Sequence, residues 1–291
     1  MCPICQQPAK QYLDYQRIGK GDYSLWLCRN CGLIYTAPLP ADDFLEDFYQ
    51  HYDSVGDRES YYRDLKNYRQ TRAGKKMAKD FTRLAEKYHF HRGGKILDLG
   101  SGGGMFLDII KRAGFTGLGV ELSRPATEFA KNNFGVDCLS ADAQEIELAE
   151  KFGAAFMWDL LEHLPRPEEL IKKTNKWLAV GGYLVLETPN SRALINKIIL
   201  LLLKFNIRWP AAWMFGYHHL FWHSRESLRI LLQNNGFKIL AAKNHNTSPA
   251  RVFPWSWKFF LPRLALEFVN LIAALIGRKN KILIIAQKSE S

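Results

Sequence analysis

Four cysteines stand as two pairs, Cys2-x-x-Cys5 and Cys28-x-x-Cys31, 22 residues apart. Thiolates are soft metal ligands, and two tight knuckles brought together offer a closed tetrahedral site for Zn2+ with no position left for water. Such a metal folds its own module rather than catalyses. The fifth cysteine, Cys138, ends an apolar stretch and reads as a small buried hydrophobe, not a nucleophile. A different chemistry is written in Ile96-Leu-Asp98-Leu-Gly100-Ser-Gly102-Gly-Gly104, a strand running into a glycine-rich turn. Glycines let a ligand approach the backbone closely at the carboxyl end of a first strand. The spacing G-x-G-x-G followed by Met105 departs from the G-x-G-x-x-G of dinucleotide folds. Asp98 precedes the first glycine by two residues and can engage a cationic or hydrogen-donating ligand. Glu121, 21 residues after Gly100, can accept both hydroxyls of a ribose, and Asp142 can receive an adenine amine.

These residues need elements to hold them. Trp26-Leu-Cys and Leu33-Ile-Tyr are strand-like pieces flanking the second knuckle, and an acidic-aromatic stretch runs from Asp42 to Tyr62. Apolar spacing from Leu65 to Tyr88 predicts one or two helices with charged outer faces. Short apolar runs then alternate with helical patterns. Strands are expected at Lys95–Gly100, Gly117–Leu122, Val136–Ser140, Ala154–Asp159, Tyr183–Glu187, Phe237–Ala242 and Lys281–Gln287. Helices are expected at Met105–Ala113, after Ser123 with Pro125 in the first turn, at Glu168–Leu178 and at Ser224–Asn235. That order predicts an α/β fold, a doubly wound, mostly parallel seven-stranded Rossmann-like sheet with a small N-terminal zinc-ribbon module. The expected division is 1–40 for the zinc-ribbon module, 41–90 for a helical linker or cap, and 91–291 for the main domain. Substrate-side insertions are expected at about 190–222 and 250–279.

Composition narrows the partners. The chain has 291 residues, 47% hydrophobic and 24% charged, which excludes a disordered or fibrous protein. Its net charge of +11 suggests a nucleic-acid binder until it is located. The first 190 residues nearly balance, whereas residues 191–291 carry 15 Lys/Arg against 3 Asp/Glu together with five of the eight tryptophans. Within that third, Ala193–Phe205 is intensely apolar but short of the ~20 residues a span requires. Lys197 and Lys204 share one face of it, the pattern of an interfacial helix, a lid or a buried cap. Met1, Cys2 and Pro3 open the chain without the basic and apolar regions of a secretory signal, so a cytoplasmic protein is expected.

The runs ILDLGSGGG, GVELS, Ala141-Asp142-Ala143, MWDLLEHLPRPEELI and GGYLVLETPN, in that order over about residues 60–290, resemble the class I S-adenosylmethionine-dependent methyltransferases. The resemblance implies that Gly100, Gly102 and Gly104 pack around the amino-acid part of S-adenosyl-L-methionine with Asp98 nearby. It also implies that Glu121 holds the ribose, Asp142 the adenine, and that Asp159 borders the methyl-transfer face. CRNCGLIYTAPLP and FLEDFYQHY look like the zinc-ribbon leader of a bacterial subgroup found among surface-glycan biosynthesis enzymes. The segment from His218 to Ser224 resembles the substrate-side insertion of that subgroup and of quinone-type O-methyltransferases. Methyl transfer from a sulfonium is an in-line displacement that needs a base only if the acceptor loses a proton. His219, ahead of His163, is the expected base, since imidazole titrates near neutral pH.

The acceptor expected is a small molecule, a sugar or a lipid-linked glycan. The basic, aromatic C-terminal third would contact the inner face of a membrane. The competing reading is an RNA methyltransferase with a zinc-binding leader. Against nucleic acid, the leader is nearly neutral and Thr188-Pro-Asn190 stands where a motif for base amines would be.

Overall fold

The computed structural model describes residues 1–16, 22–39, 58–91, 94–215, 219–249 and 260–289. Most of the acidic-aromatic stretch, residues 42–57, lies outside them, as do His218 and residues 250–259. The chain begins with three strands, β1 (Lys10–Gln16), β2 (Asp22–Leu27) and β3 (Ile34–Ala37), paired antiparallel in order. Two helices follow, α1 (Arg58–Lys66) and α2 (Arg72–Lys87), separated by a 3-10 turn at Tyr68–Gln70.

From there strand and helix alternate. β4 (Lys95–Leu99), α3 (Met105–Arg112), β5 (Thr116–Glu121), α4 (Arg124–Phe134) and β6 (Asp137–Ser140) form the first half. β7 (Phe152–Trp158), α5 (Pro167–Trp177) and β8 (Leu178–Pro189) begin the second. Next come α6 (Leu194–Lys204), α7 (Trp209–Met214), the two-residue β9 (Phe221–Trp222) and α8 (Arg225–Asn234). β10 (Phe237–His245), α9 (Phe260–Leu275) and β11 (Lys281–Lys288) close the described chain.

Seven strands make the main sheet in the order β10-β11-β8-β7-β4-β5-β6. Five are parallel neighbours, and β11 runs antiparallel to both β8 and β10. The expected mostly parallel α/β sheet is therefore present. Its strands read as continuous apolar runs because both faces are covered. Along β7, Phe152, Ala155 and Met157 enter one core, while Ala154 and Phe156 enter the other. The first core takes Leu170 and Trp177 of α5 and Leu228 and Leu232 of α8; the second takes Phe81 of α2, Phe106 of α3 and Phe134 of α4. Ser123 caps α4 by accepting from the amide of Ala126, with Pro125 in the first turn, as the sequence predicts.

Two strands outrun their apolar patterns. β8 extends from the expected five residues to Leu178–Pro189, and β10 reaches His245 because β11 pairs along its whole length. Strand order reverses between β4 and β7, and such a switch point opens a crevice at the carboxyl ends of the strands.

The second sheet has the order β1-β2-β3-β9. Its last strand comes from the far side of the chain: Ile34 pairs with Trp222 and Tyr35 with Phe221. The cysteine strands and the insertion after β8 thus share one sheet. α6 buries Asn196 and Ile199 and leaves Lys197, Leu201 and Lys204 exposed. Of α9 only Ala273 is buried.

Candidate active site

At the carboxyl end of β4 the backbone enters a turn that only glycine makes cheaply. Gly100, Gly102 and Gly104 have φ of +71°, +50° and +79°. A Cβ at Gly104 would meet that of Ala130 at 2.6 Å, so α4 closes on the turn only because that position is bare. The amides of Gly100 and Ser101 donate to the Val120 carbonyl, tying the turn to β5. Leu65 of α1 lies over Gly103, and Tyr62 of α1 stacks on Phe129 at 4.4 Å. The turn is thereby roofed by a helix of the segment expected from sequence as a helical linker or cap.

Asp98 is 1% exposed, and neither carboxylate oxygen has a hydrogen-bond partner. Burial, aided by the Glu121 charge, holds its pKa well above the usual carboxylate range. A buried, unsatisfied acid costs stability and is kept where a ligand completes it. Glu121 ends β5 and accepts from the amides of Gly102 at 2.8 Å and Ser123 at 2.9 Å. It is thus positioned by the backbone beside the glycine turn. Asp142 follows β6 and caps its own turn by accepting from the Gln144 amide at 2.7 Å. Asp98, the three glycines and Glu121 are therefore one group, with Asp142 one strand further along the sheet edge. The donor set fits S-adenosylmethionine: an orphaned buried acid, a turn with bare Cα atoms, and a carboxylate at the end of the second strand.

Cys138 is half-buried with its sulfur 3.0 Å from the Ser101 hydroxyl, and burial pushes its thiol up to about 12. It is no nucleophile at neutral pH.

A second group gathers at the end of β7, next to β4. Leu160 lies directly against Gly100. Asp159 has φ +53° and pairs with Lys281 at the start of β11. Glu162 is fully buried; one carboxylate oxygen accepts from the Thr188 hydroxyl at 2.9 Å and the other has no partner. Burial, with the Asp159 charge adding to it, pushes the Glu162 carboxyl up to about 8. His163 ends the 3-10 turn Leu161–His163, and its ring meets that of His219 at 4.7 Å, edge to face. The two histidines singled out from sequence are therefore neighbours.

His223 is not with them. It is fully buried, stacked on Phe221, and burial pushes its imidazole down to about 3, so it packs as a neutral ring. Glu162 and Lys281 were missed by the sequence reading. The available signal was an acid set among leucines in Asp159-Leu-Leu-Glu162-His163.

The four thiols also meet. Their sulfurs lie within 4.8 Å of one another, with Cys2–Cys31 at 3.6 Å and Cys5–Cys28 at 3.5 Å. A zinc ion ~2.3 Å from four tetrahedral sulfurs holds them about 3.8 Å apart, so the cluster fits that ion. The second knuckle is wired into the insertion. The Ser191 hydroxyl donates to the Gly32 carbonyl at 2.6 Å, and the Ser224 hydroxyl donates to the Cys31 carbonyl. Further on, the Thr36 amide donates to Leu220 at 2.9 Å, and the Leu220 amide donates to the Glu162 carbonyl at 2.7 Å. His219 is thus held by a backbone chain running from the cysteine sheet to the end of β7.

A family model described as a methyltransferase domain matches residues 68–242. A ubiquinone biosynthesis O-methyltransferase of Coxiella burnetii is 31% identical over 105 residues, 34% of this chain and 45% of its own length. One from Actinobacillus pleuropneumoniae is 30% identical over 109 residues, 34% of this chain and 47% of its own length. The chain thus spans less than half the length of these curated relatives. A structure of a SAM-dependent methyltransferase from Thermotoga maritima superposes with a TM-score of 0.54 at 16% identity, covering 84% of this chain and 100% of that one. The last comparison concerns the fold alone.

Proposed function

Given that the chain belongs to the methyltransferase-domain family and is an S-adenosylmethionine-dependent enzyme, we propose that it methylates a hydroxyl of a lipid-linked small-molecule or glycan acceptor presented at a membrane surface. The cofactor supplies a methyl group on a sulfonium, ready for in-line displacement. Asp98 and the turn at Gly100, Gly102 and Gly104 would hold its amino-acid end, Glu121 the ribose and Asp142 the adenine. Asp159, held by Lys281, borders the transfer face, and the acceptor hydroxyl is activated at the His163–His219 pair. The chain's work is alignment of oxygen, methyl and sulfur. In the cysteine cluster we take the ion to be a structural zinc.

The observation that carries the acceptor reading is an exposed apolar slab. α9 touches α6, and between them they expose Leu201 (54%), Phe205 (71%), Leu261 (73%), Phe268 (63%) and Leu275 (79%). Exposed Lys197, Lys204 and Arg208 stand beside it. Large apolar side chains left this exposed on two touching helices, with cations on and just after one of them, match an anionic bilayer boundary. No helix of the described residues is long and apolar enough to cross a membrane, so the contact would be peripheral. The curated relatives are named as O-methyltransferases, which agrees with a hydroxyl as the acceptor group.

Two experiments test the reading. Incubation of the enzyme and labelled S-adenosylmethionine with a bacterial lipid extract should place label in an organic-soluble methyl ether. Label found only in RNA would replace this acceptor with the nucleic-acid alternative. Second, the protein should sediment with phosphatidylglycerol vesicles at low salt and far less with phosphatidylcholine vesicles, and Phe268→Asp with Leu271→Asp should abolish it. Absence of sedimentation with either vesicle removes the membrane surface.

A further inference from the structure

We infer that the cleft between α2 and α3 is an effector site for a small phosphate monoester, and that its occupation fastens α1 over the glycine turn. The fastening rests on the reading of that turn as the cofactor's, whereas the phosphate site stands apart from it.

Three observations carry the inference. The cleft has a volume of about 240 Å3, under the roughly 300 Å3 at which pockets for drug-sized ligands begin, so it takes a small body. Next, its charge is one-sided. Lys75 of α2 and Arg112 of α3 both line it, both are exposed, and among the described residues neither side chain is paired. Arg69 lines it too, but its guanidinium is held by Asp108 at 2.9 and 2.8 Å. None of the described acidic residues lines the cleft. Two unpaired cations match the charge of about −2 on a phosphate monoester at neutral pH, and its oxygens suit a guanidinium and an ammonium together. Ala78, Ile109 and Ala113 add an apolar wall, which an organic ester covers and inorganic phosphate leaves bare.

Finally, the cleft is tied to the cofactor side. Tyr68 and Arg69, in the 3-10 turn after α1, both bond Asp108, which is 3% exposed in the first turn of α3. The Asp108 amide in turn donates to the Gly104 carbonyl at 3.0 Å. α2 packs tightly on the same 3-10 turn, since a Cβ at Gly74 would meet the Tyr68 carbonyl oxygen at 2.1 Å. A ligand bridging Lys75 and Arg112 draws α2 to α3 and holds the turn between them. α1 follows directly into that turn, with Leu65 and Tyr62 over Gly103 and Phe129. Steadying the turn favours the closed roof, so the effector and S-adenosylmethionine each tighten the other.

The test titrates full-length protein with phenyl phosphate by calorimetry, with and without S-adenosylmethionine. The wild type should bind one phenyl phosphate per chain, more tightly than inorganic phosphate, and each ligand should tighten the other by about fivefold or more. Lys75→Ala and Arg112→Ala should each weaken phenyl phosphate by about tenfold or more and leave the affinity for S-adenosylmethionine alone unchanged. Lys79→Ala, on the same helix outside the cleft, should bind as the wild type does. Absence of binding, or an equal loss in Lys79→Ala, overturns the site. Equal affinity for inorganic phosphate overturns the ester, and binding without mutual tightening overturns the effector role. Binding to phosphatidic acid vesicles that needs Lys75 and Arg112, with none to phenyl phosphate, would assign the cleft to a lipid headgroup and overturn a free effector. Failure of every form to bind S-adenosylmethionine, with phenyl phosphate still held by Lys75 and Arg112, would instead overturn the reading of the glycine turn and leave the phosphate site standing.

Discussion

Replacing Cys28 and Cys31 together by Ser lowers methyl transfer by about 10²-fold or more, because misplacement of the acceptor-side groups by about 1 Å is enough for that loss. The same variant keeps its affinity for S-adenosylmethionine within about threefold, since separated sites couple weakly. A structural zinc bound at the four thiols would supply on the order of 10 kcal/mol to the fold of its own module. Here the module does not stand apart: the Gly32 and Cys31 carbonyls receive the hydroxyls of Ser191 and Ser224, and β3 holds β9. Loss of the knuckle releases Leu220 from Thr36 and with it the loop that carries His219. The glycine turn, by contrast, is built by β4, β5, α1 and α4. Turnover with a saturating acceptor extract and calorimetry with the cofactor separate the two effects. Chelation followed by zinc addition should reproduce the loss and then reverse it. Equal loss of cofactor binding and turnover would show that the two sheets unfold as one.

Asp98→Asn has the opposite pair of signs: the free protein melts higher, and cofactor affinity falls by about tenfold to a hundredfold, the range for a hydrogen bond to a charged group. In the free protein burial raises the Asp98 pKa above the usual carboxylate range. Its contribution to stability is therefore complete below that range and is lost as pH rises through the raised value. Asparagine stays neutral, so the gain in melting temperature should grow with pH across that interval. A cationic ligand favours the charged carboxylate, so cofactor binding by the wild type should release a proton and tighten as pH rises, while the variant's affinity stays flat. Calorimetry in buffers of different ionisation enthalpy measures that proton directly. A flat wild-type profile would remove Asp98 from the ligand's first contacts.

Much of the cofactor side is legible in one dimension because its signals are local. Ile96-Leu-Asp98-Leu-Gly100 is a strand and its turn within a few residues, and Ser123 with Pro125 marks the next helix start. The acceptor side is written across long intervals. His163 and His219 meet only because Leu220 bridges β3 and Glu162, and β9 is two residues long, too short for any periodicity. The pairing of Lys281 with Asp159 depends on the register of β11, which no neighbouring residue announces. The histidine group near 218–223 was legible as a group, but burial and not residue type separates His223 from His219.

The four-stranded sheet also sets an order of assembly. During synthesis the N-terminal strands leave the ribosome first, yet the edge of β3 stays open until Phe221 and Trp222 emerge. Ser224 reaches Cys31 across 193 residues of chain, a closure that comes late and slowly. The nascent chain therefore carries an exposed strand edge, the template for pairing with another molecule, through most of its translation. A metal ion taken up early by the first-made knuckles would hold that edge in shape until its distant partner arrives.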